Sequence, residues 1–355
     1  MSRSIRNFLA THNLLAVSAQ KQEVAINTEQ ELDTTLLVDL NTVLNYQAQK
    51  NPNREELTGK EEADRLHDFG GKVGGTLSFS RAQPQHFAFL LGYGLGQVQT
   101  NPAGTSGFRH TIVPRSGEVD TARSNPSFTA AMRFGRQVMK RRFASCFLDQ
   151  IRMDFTRDGW AKIVGTVKGS GKVVDNTQVE EVAAADNVTS LTLAANGVAG
   201  ETAAERLSNV QAVQVLNAAT QAWEEVAYQA VSAAVPGVID ITPPGSTGAN
   251  TTYRLYYVPG ESGWMNLPPR VEEPPLKVSQ LEVTLGGGWD GTAFNGGYRL
   301  AAELRSITWT MKNNLTLESA PGAGGNYANR AFRTGRDQSL KFDRDFRDFL
   351  LAQNL

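Results

Sequence analysis

Apolar and polar positions alternate most regularly between Phe147 and Val167. Ile151, Met153 and Phe155 interleave with Gln150, Arg152, Asp154 and Thr156, and after Asp158-Gly159 the apolar set resumes at Ala161, Ile163 and Val167. A period of two over that length predicts a β-hairpin with one wet face. A strict two-residue turn at Asp158-Gly159 would set Phe155 opposite Lys162 and mix the two faces. The turn is therefore expected to be bulged or odd in length.

Weaker periodicities fill in the rest. Gly70, Gly71, Gly74 and Gly75 precede Thr76-Leu77-Ser78-Phe79-Ser80, which reads as a strand whose approach needs close backbone packing. A short helix follows, with Pro84 at its first turn, Phe87, Leu90, Leu91 and Leu95 on one face, and Gly92, Gly94 and Gly96 ending it. Gln99 to Gly107 reads as a loop, and Phe108 to Pro114 and Ser127 to Phe134 as short strands. Val278 to Leu285 and Leu304 to Met311 alternate again around the glycine-rich loop Gly286 to Gly297. Near the end Phe342, Phe346, Phe349 and Leu350 fall on one helical stripe. Residues 1 to 70 are polar apart from Thr35 to Leu44, and read as an arm and long loop with little core.

Composition sharpens this picture. The 355 residues include 33 Gly and 14 Pro, and the apolar runs are short and bounded by turn residues, which favours a mainly β chain. Net charge is -1, without the basic excess that tight phosphate binding requires. Cys146 is the only cysteine, so neither an intrachain disulfide nor a thiolate zinc cluster is available. Met1 to Leu15 lacks the continuous apolar core of a secretory signal, and no apolar run reaches the length of a membrane-spanning helix.

Charge is unevenly placed. From Gln178 to Asn266 nine acidic residues face only Arg206 and Arg254, a balance of -7, which leaves +6 for the remainder of a chain at -1. That contrast marks residues 178–266 as an inserted acidic domain. Its expected strands are Thr189 to Leu193, Val210 to Leu216, Val238 to Thr242 and Tyr253 to Val258, the texture of a small β-sandwich. Pro268, Pro269, Pro274 and Pro275 then form a stiff return to the parent domain.

Within Asp68 to Gly96, FGGKVGGTLSFSRAQPQHFAFLLGYGLG resembles the strand, helix and glycine stop of the tail tube proteins of long-tailed, siphovirus-like bacteriophages. The hairpin RRFASCFLDQIRMDFTRDGWAKIVGTVKGSGK from Arg141, and the later LKVSQLEVTLGG and LRSITWTMKNNL, are similar to that family's paired strands. These pieces cover about half the chain, in family order, on both sides of the acidic insert. The resemblance implies a twisted β-sandwich or half-barrel with a flanking short α-helix, plus the inserted small β-sandwich domain. It divides the chain into an N-terminal arm and loop (1–70), a tube core domain in two parts (71–177 and 267–355, the second with a C-terminal arm), and the insert (178–266) on the outer surface.

It also implies a structural virion protein, made in the host cytoplasm, whose homohexameric rings stack into a conduit for DNA ejection. Its partners would be copies of itself, tail terminator and distal tail proteins, and DNA in transit, with no membrane and no cofactor. A tube of a secretion or contractile injection system shares the architecture. A surface adhesin is the alternative from another class, with Trp223, Tyr253, Tyr256, Tyr257 and Trp264 offered to sugar; filling the insert's own core is the competing use of those rings.

No residue pattern calls for catalysis. Gly169-Ser170-Gly171-Lys172 lacks the first glycine and the Ser or Thr of a phosphate loop. His12, His67, His86 and His110 have no partner at ligand spacing, Ser106 and Ser262 complete no nucleophile elbow, and Glu61-Glu62, Glu224-Glu225 and Glu272-Glu273 read as solvated pairs. No catalytic, metal or cofactor residue is assigned. The densest basic patch, Arg136, Lys140, Arg141 and Arg142, together with Arg333 and Arg336, is assigned to subunit contact, because strong attraction to DNA would hinder sliding in a conduit.

Overall fold

The computed structural model describes residues 11–345 apart from 12, 57–58, 106, 116–123, 135–138, 186–187, 233–236, 242–250, 261–266, 271, 291–293, 301–303 and 322–325. The chain is mainly β, with many strands and two α-helices among the described residues. It divides into a larger unit (Val17–Thr129, Phe143–Lys172 and Pro269–Leu355) and a smaller one (Met1–Ala16, Ala130–Arg142 and Val173–Pro268). The inserted segment read from charge therefore starts five residues earlier and ends two later. Its unit also takes in Ala130–Arg142.

Chain order begins with β1 (Leu14–Val17), β2 (Thr34–Leu36), β3 (Val43–Pro52) and β4 (Leu66–Phe79). The expectation of a core-poor arm over residues 1 to 70 fails here, since Leu15, Ala16, Val17, Leu36 and Leu44 are buried. β1 and β2 are too short for alternation to show, and polar side chains fix their connection. Glu23 is buried, and its carboxylate accepts from the hydroxyls of Ser127, Thr129 and Ser145 and from the Ser145 N–H. Four donors around one carboxylate remove the penalty of burying it and strap residues 18–33 onto the sheet.

β4 pairs with β3 and continues through the glycine stretch. A Cβ at Gly70 would collide with the Asn326 carbonyl, and one at Gly75 with the Val43 carbonyl, as the expected close backbone approach requires. Helix α1 (Pro84–Leu95) follows and stops at Gly96, whose φ is 96°. Gly92 and Gly94 lie inside the helix rather than ending it: Gly94 lets Ile151 and Met311 approach. β5 (Gly96–Ala103) and β6 (Gly107–Pro114) then form a hairpin of eight paired positions. The loop expected at Gln99 to Gly107 is thus largely strand, illegible because both faces are wet and no alternation is needed.

β7 (Phe128–Phe134), β8 (Met139–Thr156) and β9 (Lys162–Gly169) complete the first part. Met153 pairs with Ile163 and Asp154 with Lys162, so an odd number of residues, the seven from 155 to 161, links the last paired positions and like faces match. Asp158 takes a φ of 60° and a register shift falls between Leu148 and Gln150. The odd, irregular turn expected from the alternation is present.

The smaller unit contributes β10 (Val173–Asp175), β11 (Gln178–Ala184), β12 (Ser190–Thr192), α2 (Ala203–Asn209), β13 (Val210–Leu216), β14 (Trp223–Glu225), β15 (Tyr228–Val231), β16 (Val238–Ile241) and β17 (Thr251–Tyr257). All four expected strands are there within two residues of their ends. They fall into two antiparallel sheets, ordered β11-β17-β13-β14 and β12-β16-β15. Leu191, Val210, Val213, Val231, Ile239, Tyr253, Leu255 and Tyr257 form its own buried core.

The larger unit resumes with β18 (Val283–Leu285), β19 (Gly288–Trp289), β20 (Phe294–Asn295), β21 (Tyr298–Leu300), β22 (Leu304–Lys312), β23 (Leu315–Glu318), β24 (Arg330–Arg333) and β25 (Asp337–Arg344). Val278–Gln280, expected as strand, is a 3-10 turn. Phe342 sits in β25 rather than on a helix, and the other members of that stripe, Phe346, Phe349 and Leu350, lie outside the described residues. β22 pairs with β8 on one side and β25 on the other, while β9, β4 and β3 continue beyond β8. The core lies under α1, where Leu77, Phe79, Leu90, Phe128, Phe147, Leu148, Ile151 and Ile163 are buried and Phe89, Tyr93 and Phe128 meet at ring-centroid distances of 5.1–5.2 Å.

Candidate subunit interface

Two kinds of surface in the larger unit are built like contact surfaces. The first is sheet edge. Among the described residues β3 pairs only with β4 and β25 only with β22, and both are exposed along most of their length. An exposed edge presents backbone donors and acceptors to any strand that can lie beside it. The second is the pair of long arms. Phe69, on β4, is 72% exposed, and Phe108, on the β5–β6 hairpin, is 68% exposed. Leu66 on β4 and Val98 on β5 are exposed as well. Large apolar side chains left this open at the ends of paired strands are the usual sign of a surface that another chain covers.

The direction of the β5–β6 arm is set by a polar hub at the end of α1. Asn313 is buried; its amide donates to the carbonyls of Gly94 (2.9 Å) and Leu148 (3.0 Å). Asp149, also buried, accepts from the Leu315 N–H at 2.7 Å and pairs with Lys168 at 3.0 Å. Together they lock the end of α1, the middle of β8 and the β22–β23 turn, so the hairpin that leaves α1 at Gly96 departs in a fixed direction.

The basic residues assigned to contact divide by unit. In the smaller unit Arg141 grips Asp175 with two nitrogens, at 2.5 and 2.8 Å, and that carboxylate holds its guanidinium above the ordinary arginine range. Lys140 donates its backbone N–H to Asn176, and burial, with Arg133 nearby, pulls its ammonium down from the usual lysine value. Arg142 is half-buried. Arg136 lies outside the described residues. In the larger unit Arg336 donates to Asn313 (2.9 Å) and to the carbonyls of Gly94 (3.1 Å) and Leu95 (3.4 Å), capping the C-terminus of α1. Burial, with Arg333 beside it, pushes Arg336 down to about 10. Burial likewise lowers Arg333. Arg141 and Arg336 therefore spend their guanidinium groups within the chain, a use that sequence cannot display.

The remaining motifs are structural where they are described. Ser170 is buried and donates to Asn27, Lys172 donates to the Asn27 carbonyl, and Gly171 has a φ of 98°, so Gly169-Ser170-Gly171-Lys172 is the turn that ends β9. His86 is buried, stacked on Phe79 with centroids 4.1 Å apart, and accepts from the Gln83 N–H. His67 meets Glu56 and His110 meets Thr100 on exposed arms. His12, Ser106 and Ser262 lie outside the described residues. Of the aromatic residues weighed for sugar binding, Tyr253 and Tyr257 are core, Trp223 and Tyr256 are partly exposed, and Trp264 lies outside the described residues. No group of three or more acidic, His or Cys side chains placed to hold a metal occurs among the described residues. No helix among them is long and apolar enough to cross a membrane.

Sequence reasoning found the β6 strand, as Phe108 to Pro114, but missed that β5 pairs with it to make an arm. The β5–β6 hairpin carried a usable signal in its two exposed apolar residues, Val98 and Phe108, set in a polar run. No family model and no curated protein matches this chain.

Proposed function

We propose that this chain is the subunit of a phage tail tube, a structural protein and not an enzyme. Copies pair through the open edges of the larger unit's sheet, close into homohexameric rings, and stack into a hollow conduit for DNA leaving the virion. The observation that carries this reading is the combination of open edges at β3 and β25 with arms that expose Phe69 and Phe108. A closed ring of copies satisfies both at once, because cyclic symmetry brings each edge to the same neighbouring surface. The resemblance of the β4–α1 and β8–β9 segments to tail tube proteins supports the choice of that family, with the virion as the site of assembly and tail terminator and distal tail proteins as proposed neighbours. Net charge near zero suits a conduit that must not hold DNA.

Negative-stain microscopy of the purified full-length protein across a concentration series tests this. Rings of six or hollow tubes are expected. Dispersed monomers at every concentration would overturn the reading.

A further inference from the structure

Between β3 and β25, through β4, β9, β8 and β22, each pairing in the larger unit's sheet is antiparallel. Six strands that alternate in direction leave β3 and β25 running opposite ways. A second copy turned about an axis that preserves strand direction therefore brings its β3 antiparallel to the first copy's β25, the pairing already used across this sheet.

The two faces of the sheet differ. Phe79, Ile163, Met153, Trp309 and Leu340 lie side by side in one row across it. Phe79 and Ile163 are buried, as are Leu77, Ile151 and Met311 in the next row, so this is the dry face. On β3 the same face carries Leu44 and Tyr46, opposite Gly75 and Val73. The other face is wet, with Asn45, Thr76, Thr166, Thr310 and Ser339 exposed or half-buried. Tyr46 is 39% exposed and Leu340 47% exposed, and each is the last member of a dry row that stops at a sheet edge.

We propose that β25 of one copy pairs antiparallel with β3 of the next, with Leu340 opposite Tyr46 and Phe342 opposite Leu44. Keeping dry face beside dry face allows only registers that differ by two residues. Of these, this one alone opposes both Leu44 and Tyr46 to apolar side chains. A shift one way sets Tyr46 against Gln338, and a shift the other way sets Leu44 against Arg344. On the wet face the chosen register places Lys341 opposite Asn45 and Ser339 opposite Gln47, so no like charges meet. The geometry of closure agrees. Leu340 is level with Phe79 and Tyr46 with Val73, six residues apart along β4. Setting them opposite displaces the second copy by about 20 Å along the strands over a six-strand repeat of about 29 Å, a tilt of about 35°, within the range at which closed sheets stand. The contact is head-to-tail, so repeating it closes a ring. It rests on the tube reading and names the strands and register that join neighbouring copies.

Cysteines at the two opposed positions test it. Full-length Tyr46→Cys and full-length Leu340→Cys, each first checked for an unchanged urea midpoint, are assembled alone and as an equal mixture and then mildly oxidised. Opposed residues on antiparallel strands lie about 4.5–5.5 Å apart at Cα, within reach of a disulfide, and the native Cys146 is buried and takes no part. The mixture is expected to yield a dimer linking the two variants, and neither variant alone any link. A second measurement needs no substitution: hydrogen exchange in the parent protein should slow at least ten-fold on assembly at alternate amides of both β3 and β25. If the variants do not assemble, the exchange of the parent protein decides alone. Rings or tubes that form without the mixed link, with links in one variant alone, or with exchange unchanged at either edge overturn this pairing and leave the tube reading standing. Failure of the parent protein to assemble at any concentration overturns both.

Discussion

His86 is held neutral by its surroundings. Burial against Phe79 pushes its imidazole down to about 4 from an ordinary 6.5, opposed in part by the Asp39 carboxylate. The unfolded chain would take up that proton near 6.5 and the folded chain only near 4, so between those values the unfolded state binds more protons. The stability this residue contributes is complete above about pH 6.5 and falls away as pH drops to about 4, by roughly 3 kcal/mol at most. Replacing His86 with Asn keeps an acceptor for the Gln83 N–H and removes the titration. Urea unfolding of His86→Asn between pH 7 and 4 should show a shallower loss of stability than the parent chain; equal slopes would refute the assignment. Arg336 makes a second residue-scale case. Changing it to Met strips a donor from the Gly94 and Leu95 carbonyls and from the buried Asn313, at a cost of roughly 2 kcal/mol, measurable as a fall in the urea midpoint. Neither role could be read from sequence. His86 was visible only as a histidine without a ligand partner, since its burial depends on the fold around it, and Arg336 was assigned to subunit contact because its bonds to Asn313, Gly94 and Leu95 span tens to hundreds of residues.

At the scale of elements, legibility followed the wetting of the faces. β8 and β9 were readable to the type of turn, since one face is dry and the alternation is enforced. α1 was readable from its proline start and Gly96, but Gly92 and Gly94 looked like stops when they are points of close packing. α2 carried a signal that went unused: Thr202 and Glu205 form a reciprocal capping box, with the Glu205 N–H donating to Thr202 and the Glu205 carboxylate accepting from the Thr202 N–H. β6 was read as the short strand Phe108 to Pro114, whereas β5 and β25 were missed because strands exposed on both faces need no pattern. The same exposure makes the arms separable from folding. The double variant Phe69→Ser with Phe108→Ser should unfold within about 0.5 kcal/mol of the parent, since neither ring is buried in the single chain, yet should fail to assemble. Sedimentation velocity would show it; undiminished assembly would remove these rings from the interface.

For the whole molecule, the acidic segment 178–266 falls within one unit, but its charge balance gave no sign that Met1–Ala16 and Ala130–Arg142 belong to the same unit. Charge reports composition along the chain, whereas the latter segment joins through sheet pairing with β10. Each unit has its own buried core, so damage to one should be felt locally. Leu255→Ala empties part of the smaller core and should cost about 3 kcal/mol there. Hydrogen exchange should then speed in β11, β13 and β17 while β4, β8 and β9 keep their protection; uniform acceleration would show a single cooperative block. One further consequence concerns the lone thiol. Cys146 is wholly enclosed, and that enclosure raises its thiol far beyond the range in which thiolate forms. Maleimides and spin labels should therefore ignore the native chain, so a single cysteine introduced at an arm tip or on β14 would carry a probe free of background, and distances across an assembled particle could be measured without first deleting anything.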